Sequence, residues 1–353
     1  MQMRKKVFVG LSGGVDSAVS AALLKERGYE VTGLFAWIAL PGYPCTAGED
    51  RREALRVAAH LQIPFREIDL SKEYRERVFS HAIDSYRRGE TPNPDALCNR
   101  EIKFGLLYDF AMKNGAEYFA TGHYARVEKV GDETRLLAGM DSEKDQSYFL
   151  WAVPEERLAH TVFPVGGMHK REVRALAKTC ELPNAERKDS QGLCFLGDVS
   201  MEEALIEELH PRPGPVLNEE GVHIGTHQGA VLYTIGQRHG FEIFAQRPDE
   251  QPQYVVAKNI EENVVIVSSR EKTEYAAVRS VALREGNWIG KHEKGPVEVR
   301  FRYRQKLLQA TLNEKGNHID FAEAANVPAG QSLVAYRGER CLGGGIIEIS
   351  SKN

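Results

Sequence analysis

The sequence predicts an α/β protein: a doubly wound parallel-sheet domain followed by two small, mainly β domains, the last of them a β-barrel. Strand-like and helix-like segments alternate over the first part of the chain, which is the pattern of repeated βα units. A hinge rich in proline and glycine (HPRPGP, residues 210–215) then interrupts the pattern. Beyond the hinge the chain shows short β-like runs and turns with almost no helical periodicity. The 353 residues agree with two or three domains, since a domain averages about 150 residues.

The N-terminal part alternates apolar strands with amphipathic helices. Residues 7–11 are a continuous apolar run, as expected for a buried parallel strand. A glycine-rich turn follows, and then a helix with Val15, Val19, Ala22 and Leu23 on one face and Gly28 as its stop. The further strands expected are residues 31–40, 65–70 and 118–122, and the further helices are residues 49–61, 74–86 and 101–113.

Three domains are expected along the chain. The α/β domain is expected to occupy residues 1–210 and the central β-rich domain residues 211–272. Residues 273–353 show short alternating strands that suggest a small barrel.

Composition excludes several classes of protein. No uncharged apolar run approaches the roughly 18 residues of a membrane span, and the N-terminus lacks the long apolar core of a signal peptide. We therefore expect a cytoplasmic protein with no membrane contact. The 46 basic and 50 acidic residues give a formal net charge of −4, so any RNA contact must come from a local basic patch.

The five cysteines do not form a recognisable framework; they are Cys45, Cys98, Cys180, Cys194 and Cys341. Their odd number, wide spacing and lack of a Cys-x-x-Cys pair argue against a disulfide scaffold and against a zinc site. No metal centre is expected. Cys180 falls in an amphipathic helix and Cys341 in a strand-like run, so both are interpreted as core thiols, and Cys45 is assigned no chemistry.

A candidate phosphate-binding loop, SGGVDS at residues 12–17, lies between the first strand and the first helix. Glycines let the backbone approach a ligand closely, and amides at a helix start favour phosphate oxygens. Ser12 and Ser17 could add hydroxyl donors. The loop has no lysine to reach the terminal phosphates, and it lacks the Gly-x-Gly-x-x-Gly spacing of dinucleotide folds. The alternative is a glycine turn without a ligand.

Two cysteines are candidates for chemistry. Cys98 ends the segment TPNPDALC, which we expect to be an extended loop stiffened by its prolines. Cys98 would then lie close to the start of the 101–113 helix, where Arg100 and Lys103 would lower the pKa of its thiol. Asp95 could orient a substrate or exchange a proton with it. Cys194 lies in a glycine-containing loop, and either cysteine taken singly is more often a buried small hydrophobe.

A basic stripe is expected in the last domain. With strand periodicity, Arg300, Arg302, Arg304 and Lys306 share one face, and Val297, Val299, Phe301 and Tyr303 take the other face toward a core. Such a row of cations suits a phosphate backbone. The alternative is an ordinary charged outer face of a strand.

Several strings resemble one known family, the bacterial tRNA-specific 2-thiouridylases of the N-type ATP pyrophosphatase superfamily. These strings are the SGGxDS loop and, in order, TPNPDALCNREIKF, ATGHYARV, KDQSYFLW, FPVGGMHKREVR, DSQGLCFLGDV, LYTIGQRHG, FRYRQ and CLGGGII. They run from the first strand to about residue 347, so the resemblance covers nearly the whole chain.

The resemblance implies a reaction. In that family ATP adenylates the oxygen on C2 of the wobble uridine (U34) of tRNA with release of pyrophosphate, and a cysteine persulfide then delivers sulfur to C2. Carried over by position, Cys98 is the nucleophile and Cys194 the persulfide carrier, with a transient Cys98–Cys194 disulfide. Asp95 matches a proposed acid/base or orienting residue.

The resemblance also implies binding residues. The ATP-binding positions would be Gly10, Leu11, Ser12, Gly13, Gly14, Val15, Asp16, Ser17, Ala36 and Gly122. The tRNA-binding positions would be Asn93, Pro94, Asp95, His123, Lys144, Asp145, Gln146, Tyr303, Arg304 and Gln331. The chain departs from the family at Ala36, where AWIA stands in place of the usual Met-Lys-Asn-Trp. From the residues alone, His123 could equally be a satisfied loop histidine, and residues 144–146 a solvated helix start.

The expected ligands and partners follow from the same resemblance. They are ATP, Mg²⁺ with the ATP phosphates, the lysine, glutamate and glutamine tRNAs, and a sulfur-donor chain from a cysteine desulfurase and relay proteins. Two other functions are compatible with the phosphate loop. A small-molecule ligase or amidotransferase would need neither cysteine nor the basic stripe, and a non-catalytic RNA-binding module would need no intact loop.

Overall fold

The computed structural model describes residues 4–189, 199–244, 251–269, 277–291 and 293–348. The first seven strands are β1 (Lys6–Gly10), β2 (Glu30–Trp37), β3 (Phe65–Asp69), β4 (Tyr118–Ala120), β5 (Ala125–Val130), β6 (Glu133–Ala138) and β7 (Thr161–Val162). The helices are α1 (Val15–Glu26), α2 (Ala47–His60), α3 (Ser71–Tyr74), α4 (Ser80–Arg87), α5 (Pro94–Cys98), α6 (Tyr108–Lys113), α7 (Glu155–Leu158), α8 (Lys170–Thr179) and α9 (Met201–Leu209). In the described part of the chain, no helix has both the length and the apolar character needed to cross a membrane.

The predicted doubly wound sheet is confirmed. Five parallel strands lie in the order β3-β2-β1-β4-β7. Residues of β1 alternate between two buried layers: Val7 and Val9 pack with α1, α2 and α8, whereas Phe8 packs with α4 and the helical segments around residues 94–113. Both faces of the sheet are therefore covered by helices, which explains why β1 is apolar throughout.

The segment before Cys98 differs from the prediction of an extended loop. The helix begins at Pro94 and runs on through π-helical turns (Asn99–Leu107) into α6. Asn93 caps it, because its side-chain oxygen accepts a hydrogen bond from the Ala96 amide at 3.1 Å. Proline is favoured at the first helical position, since its missing N–H would be unpaired there anyway. Cys98 therefore lies inside a helix, one turn beyond its start.

The central domain is a small sheet. Its strands are β8 (Gly214–Leu217), β9 (His223–His227), β10 (Phe241–Ile243), β11 (Tyr254–Asn259) and β12 (Val264–Ser268), in the order β10-β9-β8-β12-β11. The hinge at residues 210–215 lies between α9 and β8, and His210 adopts a left-handed conformation there (φ 45°). The second boundary expected near residues 270–275 falls outside the described residues.

The last domain is a closed barrel, as the sequence predicts. Its strands are β13 (Ala277–Trp288), β14 (Gly295–Arg300), β15 (Leu308–Leu312), β16 (His318–Asn326), β17 (Ser332–Arg337) and β18 (Arg340–Glu348). They follow the order β13-β16-β15-β14-β17-β18, and β18 pairs back with β13. Val297, Val299 and Phe301 point into the barrel core, as the alternation predicts.

A hairpin from the first domain extends the barrel sheet. β5 and β6 form an antiparallel hairpin, and β6 pairs with the start of β18, where Leu137 lies opposite Arg340 and Leu136 opposite Cys341. The sequence analysis predicted neither a helix nor a strand for residues 125–138. The hairpin joins the first and third domains by backbone hydrogen bonds, including Ala138 N–H to the Glu339 carbonyl at 2.8 Å.

The predicted basic stripe is wrong. β14 ends at Arg300, and the side-chain oxygen of Gln305 accepts hydrogen bonds from the amides of Phe301 and Arg302 at 3.0 and 3.1 Å. The two amides are thus bonded within a turn rather than to a neighbouring strand. Arg304, in the same turn, has a positive φ of 61°. The strand period therefore does not extend past Arg300, and the four cations do not share a strand face.

Candidate nucleotide site and the Cys98 helix

The phosphate loop lies where the order of the sheet switches direction. β1 has β2 on one side and β4 on the other, so the connections that leave β1 and β4 open a crevice at their carboxyl ends. The loop that follows β1 leads directly into α1, as predicted. An anion there would meet both the loop amides and the positive end of the helix dipole.

Serine hydroxyls hold the loop in shape. The Ser17 hydroxyl donates to the Gly14 carbonyl at 3.0 Å and accepts from the Ser12 amide at 3.2 Å. The Ser12 hydroxyl in turn accepts from the Gly14 amide at 3.3 Å. The loop conformation is therefore fixed by its own side chains.

Two glycines are required by close approach. Gly13 has φ +79°, and a Cβ there would lie 2.6 Å from the Asp50 carbonyl oxygen of α2. At Gly122, which follows β4, a Cβ would lie 2.7 Å from the Asp16 carbonyl carbon and the Ser17 nitrogen. Gly122 thus allows the β4 loop to touch the phosphate loop.

The adenine side was predicted at Ala36 and Gly122. Ala36 is buried in β2, opposite Ile68 of β3. Ala36 lies near the end of β2, a strand adjacent to β1, so its backbone is at the same edge of the sheet as the loop. The departure from the family pattern therefore places a small buried side chain at this edge.

Asp16 is the charged residue of the loop, and it is fully engaged. Its two carboxylate oxygens each accept a hydrogen bond from the Lys170 ammonium at 2.8 Å. The Tyr124 hydroxyl donates to one of them at 2.9 Å. Burial raises the pKa of Tyr124, and the Asp16 charge raises it further, so the hydroxyl stays protonated and donates.

A second carboxylate, Asp189, gathers three cations beside the loop. It lies 3.0 Å from Lys144, 2.8 Å from Lys170 and 2.7 Å from Arg174. Burial opposes its ionisation, but hydrogen bonds and charges from Lys170 and Lys144 prevail and lower the pKa of Asp189 to about 2. Lys170, the first residue of α8, therefore pairs with both Asp189 and the Asp16 carboxylate of the loop.

Cys98 has an apolar environment. Its side chain is 0% exposed and packs in the cluster that contains Ala96, Ile102, Phe104 and Tyr148. The Arg100 guanidinium, one residue beyond Asn99, pairs with Glu101 and Glu285. Cys98 is a buried position within the helix rather than part of a loop before it.

Asn99 fixes the next turn of this helix. Its amide nitrogen donates to the Phe149 carbonyl at 2.9 Å. Asp95, the predicted acid/base residue, is half-buried at the second residue of α5. Cys194 lies outside the described residues, as does the whole segment 190–198. Among the other cysteines, Cys45 is exposed, Cys180 is half-buried just after α8, and Cys341 is buried in β18.

His123 lies deep between the crevice and the Cys98 helix. Its ring packs against Phe104 at 5.7 Å and Phe163 at 6.0 Å between ring centroids, and its Nδ1 lies 2.7 Å from the Thr121 hydroxyl. Burial lowers the pKa of His123 well below its usual value, with Lys103 adding to the effect. The residue is therefore a neutral imidazole at pH 7. It was predicted to contact RNA, but its side chain is buried in this structure.

Residues 144–149 connect the loop, the Cys98 helix and the barrel. The Gln146 side chain accepts from the Tyr124 amide at 2.9 Å, which links it to the tyrosine that holds Asp16. Asp145 is buried and lies 2.7 Å from the Arg300 guanidinium of β14, an ion pair with both partners largely enclosed. The predicted RNA contact at Asp145 thus faces protein, since its oxygens also accept from the Gly139 and Ser147 amides.

The other predicted RNA contacts fall into two groups. Asn93 and Gln331 both contact Tyr148, whose hydroxyl lies 3.2 Å from the Gln331 side-chain oxygen and interacts with Asn93. Tyr303 stacks on Phe149 with ring centroids 4.8 Å apart, and the Arg304 guanidinium lies 5.3 Å from the Tyr303 ring centroid. Both groups border the Cys98 helix through residues 148–149.

Several residues of the site were not assigned from sequence: Tyr124, Lys170, Arg174 and Asp189. Lys170 and Arg174 are in the string FPVGGMHKREVR, and helix α8 places them one turn apart on one face. The sequence spacing predicts that they share a helix face. Which part of the protein that face meets depends on the packing of α8 against α1. Among the described residues, no group of three or more His, Cys, Asp or Glu side chains is arranged to hold a metal ion.

Family descriptions match three consecutive parts of the chain. The family described as tRNA methyl transferase HUP domain matches residues 5–198. The tRNA methyl transferase PRC-barrel domain matches residues 202–269, and the aminomethyltransferase beta-barrel domain matches residues 278–347. The order agrees with the parallel-sheet domain, the central sheet and the barrel described above.

Curated relatives are similar over nearly the whole length. The tRNA-specific 2-thiouridylase MnmA of Listeria monocytogenes serotype 4b (strain CLIP80459) is 42% identical over 358 residues, covering 99% of this chain and 96% of the relative. The protein of the same name from Lysinibacillus sphaericus (strain C3-41) is 40% identical, covering 97% of this chain and 94% of the relative. The protein of the same name from Yersinia enterocolitica serotype O:8 / biotype 1B is 41% identical, covering 98% of this chain and 96% of the relative.

Proposed function

Because the chain belongs to the tRNA-specific 2-thiouridylase family, we propose that it catalyses the ATP-dependent 2-thiolation of the wobble uridine, U34, of tRNA. The observation that carries the proposal is the near-full-length match to relatives of that name, in a chain whose phosphate loop and Cys98 helix are both intact. The site supplies the two things the reaction needs, a nucleotide cradle and a thiol.

The first step is adenylation of the base. ATP binds with its phosphates against Gly10–Ser17, where loop amides and the start of α1 stabilise negative charge. The adenine lies toward Ala36 and Gly122. The oxygen on C2 of uridine attacks the α-phosphorus, the bond to the β-phosphate breaks, and pyrophosphate leaves. The oxygen on C2, a poor leaving group by itself, can then leave as part of AMP.

The second step is sulfur transfer. The terminal sulfur of a Cys194 persulfide attacks C2 and AMP leaves, so that C2 and Cys194 are joined through two sulfur atoms. The Cys98 thiolate then attacks the Cys194 sulfur, the sulfur–sulfur bond to the base breaks, and 2-thiouridine is released. The product is a Cys98–Cys194 disulfide, which a cellular thiol reduces. The sulfur donor is a cysteine desulfurase acting through relay proteins.

The burial of Cys98 sets a condition on this step. The thiol is 0% exposed and packed among apolar side chains, so the base reaches it only after those side chains are displaced. Asp95 lies one helical turn before the thiol, half-buried, where a carboxylate can orient the base or exchange a proton with it.

The RNA-facing residues divide into contacting and positioning groups. Tyr303 and Arg304 reach the surface and suit direct contacts with the anticodon arm. Lys144 pairs with Asp189 beside the phosphate loop, so it faces the nucleotide rather than the anticodon arm in this proposal. Asn93, Pro94 and Gln331 border the Cys98 helix and suit contacts near the target base. The buried residues His123 and Asp145 and the half-buried Gln146 act through their neighbours. The substrates proposed are the lysine, glutamate and glutamine tRNAs.

Magnesium accompanies the nucleotide in this proposal. The carboxylate of the loop itself, Asp16, is paired with Lys170. It therefore suits hydrogen bonds to the water shell of a Mg²⁺ ion held mainly by phosphate oxygens, the arrangement that this ion prefers. Bound there, the ion would neutralise phosphate charge.

A single assay tests the function. The purified chain, ATP, Mg²⁺, a persulfide (sulfane-sulfur) donor, a reducing thiol and unmodified glutamate tRNA are incubated, and digested nucleosides are analysed for 2-thiouridine. We expect thiolated uridine together with one AMP and one pyrophosphate per product. A tRNA with cytidine at position 34 is the matched control and should remain unmodified. Release of pyrophosphate without tRNA, with no thiolated product, would instead indicate a small-molecule ligase.

A further inference from the structure

The cations around Asp189 are arranged as in an anion-binding site, with the Asp189 carboxylate in the place of the anion. Three cations from separate stretches of chain, Lys144, Lys170 and Arg174, converge within 3.0 Å of one carboxylate. Their side chains are between 14% and 35% exposed, so water screens the cluster only in part. Convergent cations of this kind bind oxyanions, and a carboxylate presents the same oxygen acceptors as a phosphate.

Carboxylates balance the cations of the cluster. Lys170 also pairs with Asp16, and the Asp141 carboxylate accepts from the Lys170 amide and interacts with the Lys144 charge, so the three cations face three carboxylates. One of these carboxylates, Asp16, is part of the phosphate loop itself. A polyphosphate that enters the loop therefore arrives beside three cations, and it carries more negative charge than Asp189.

We infer that Lys144, Lys170 and Arg174 bind the terminal phosphates of the nucleotide, and that Asp189 is an internal counter-ion which those phosphates displace. The inference rests on the proposed function in one respect, the binding of ATP at the loop. It adds which cations receive the phosphates and which contact must break when they bind. The shared chemistry is that of a polyphosphate, supplied either by ATP or by free pyrophosphate.

Binding to variants tests this without tRNA or a sulfur donor. Asp189→Asn removes the competing charge at nearly constant shape, so the dissociation constants of pyrophosphate and ATP, measured by calorimetry on the full chain, should fall by about five- to tenfold. Lys170→Gln should raise both by about tenfold or more. In the double variant the gain from Asp189→Asn should shrink, because the cation through which it competes is gone.

The matched control is Asp84→Asn. Asp84 also forms an ion pair, with Arg87 at 2.5 Å on α4, but lies outside the cluster. This control should leave both dissociation constants unchanged, and tighter binding in it would overturn the inference. Tighter binding of ATP but not of pyrophosphate to Asp189→Asn would also overturn it, because the gain must come from the phosphates.

Unchanged or weaker binding of pyrophosphate to Asp189→Asn would show that Asp189 supports the site and would overturn the inference. If that variant does not fold, Lys144→Gln decides, since its partly exposed lysine pairs with Asp189. Pyrophosphate should then bind about threefold more weakly, and unchanged binding overturns the inference. A wild-type chain that binds pyrophosphate and ATP but thiolates no tRNA would contradict the proposed function alone.

Discussion

The phosphate loop and the surroundings of Cys98 belong to one domain but are stabilised in opposite ways. The loop is polar, shaped by Ser12 and Ser17 hydroxyls and bordered by charged side chains that water can still reach. Cys98 is enclosed by apolar side chains such as Ile102 and Phe104. A ligand can approach the first region as it stands, whereas the second must rearrange before its thiol can react.

This difference suggests an order of events. In our proposal nucleotide binding needs only an exchange of counter-ions, whereas exposure of the thiol needs apolar contacts to be broken. A reactive cysteine kept covered until the RNA is in place is protected from oxidation and from attack on the wrong substrate. The predictions below test the separation of the two regions, from the largest expected effect to the smallest.

Cys98→Ser should separate chemistry from nucleotide binding. We expect thiolation to fall by about a thousandfold or more, because a hydroxyl cannot replace the thiolate as a sulfur nucleophile. The ATP dissociation constant, measured by calorimetry, should be unchanged. Cys180→Ser, at a half-buried thiol beyond α8, is the control and should remain active. Full activity of the Cys98 variant would refute the persulfide scheme.

Arg300→Met should show how far the Cys98 region depends on the barrel. The substitution leaves the buried Asp145 carboxylate without its cation, and loss of one partner of such a pair costs about 3–4 kcal/mol of unfolding free energy. Urea unfolding measures the loss. Arg51→Met removes the exposed pair with Glu67 and should cost less than about 1 kcal/mol. Equal losses in the two variants would contradict the structural role given to Arg300.

Gly122→Ala should damage the nucleotide region alone. The added methyl would lie 2.7 Å from backbone atoms of Asp16 and Ser17, so the loop must shift. A displacement on the ångström scale costs about a hundredfold in kcat/KM for ATP. Gly48→Ala is the control, because a Cβ at Gly48 meets nothing within 4 Å. Normal ATP kinetics in the Gly122 variant would exclude the close approach described here.

His123 should give the protein an acid-sensitive stability. The pKa of its imidazole is lowered in the folded state, so below the unfolded value of about 6.5 the unfolded chain binds a proton that the folded chain does not. Stability should therefore decrease as pH falls, by about 1.4 kcal/mol per unit once pH is below about 6. Urea unfolding at pH 7 and 5.5 measures it, and His123→Gln should show a smaller decrease. Equal decreases would assign the effect to other groups.

Local signals were read correctly from the sequence. The apolar β1 run, the serine–glycine loop and the start of α1 are consecutive, so neighbouring positions contain the whole pattern. The face of α1 was predicted less well, because Ala22 and Leu23 are half-buried while Ala21 and Leu24 are buried. The two later β domains were likewise visible in short alternating runs. The resemblance to a known family rested on motifs of the same local kind.

The errors came from competing local chemistry and from tertiary contacts. Asn93-Pro94 was interpreted as part of a loop, although an asparagine cap followed by proline also begins a helix, and here it does. The alternation after Arg300 continued in the sequence but not in the strand, because Gln305 takes the amides of the next two residues. The cation cluster at Asp189 unites residues from distant stretches, so no spacing rule reveals it.

The β5–β6 hairpin has a consequence for how this protein can be divided. A fragment that ends at the hinge would leave β6 as an uncovered sheet edge, and a separately produced barrel would expose the first residues of β18. Both edges would present free amides and carbonyls to other chains and promote aggregation. Gene fusions, truncations and evolutionary reshuffling that sever the chain near residue 210 therefore carry a penalty that a division by sequence alone does not reveal.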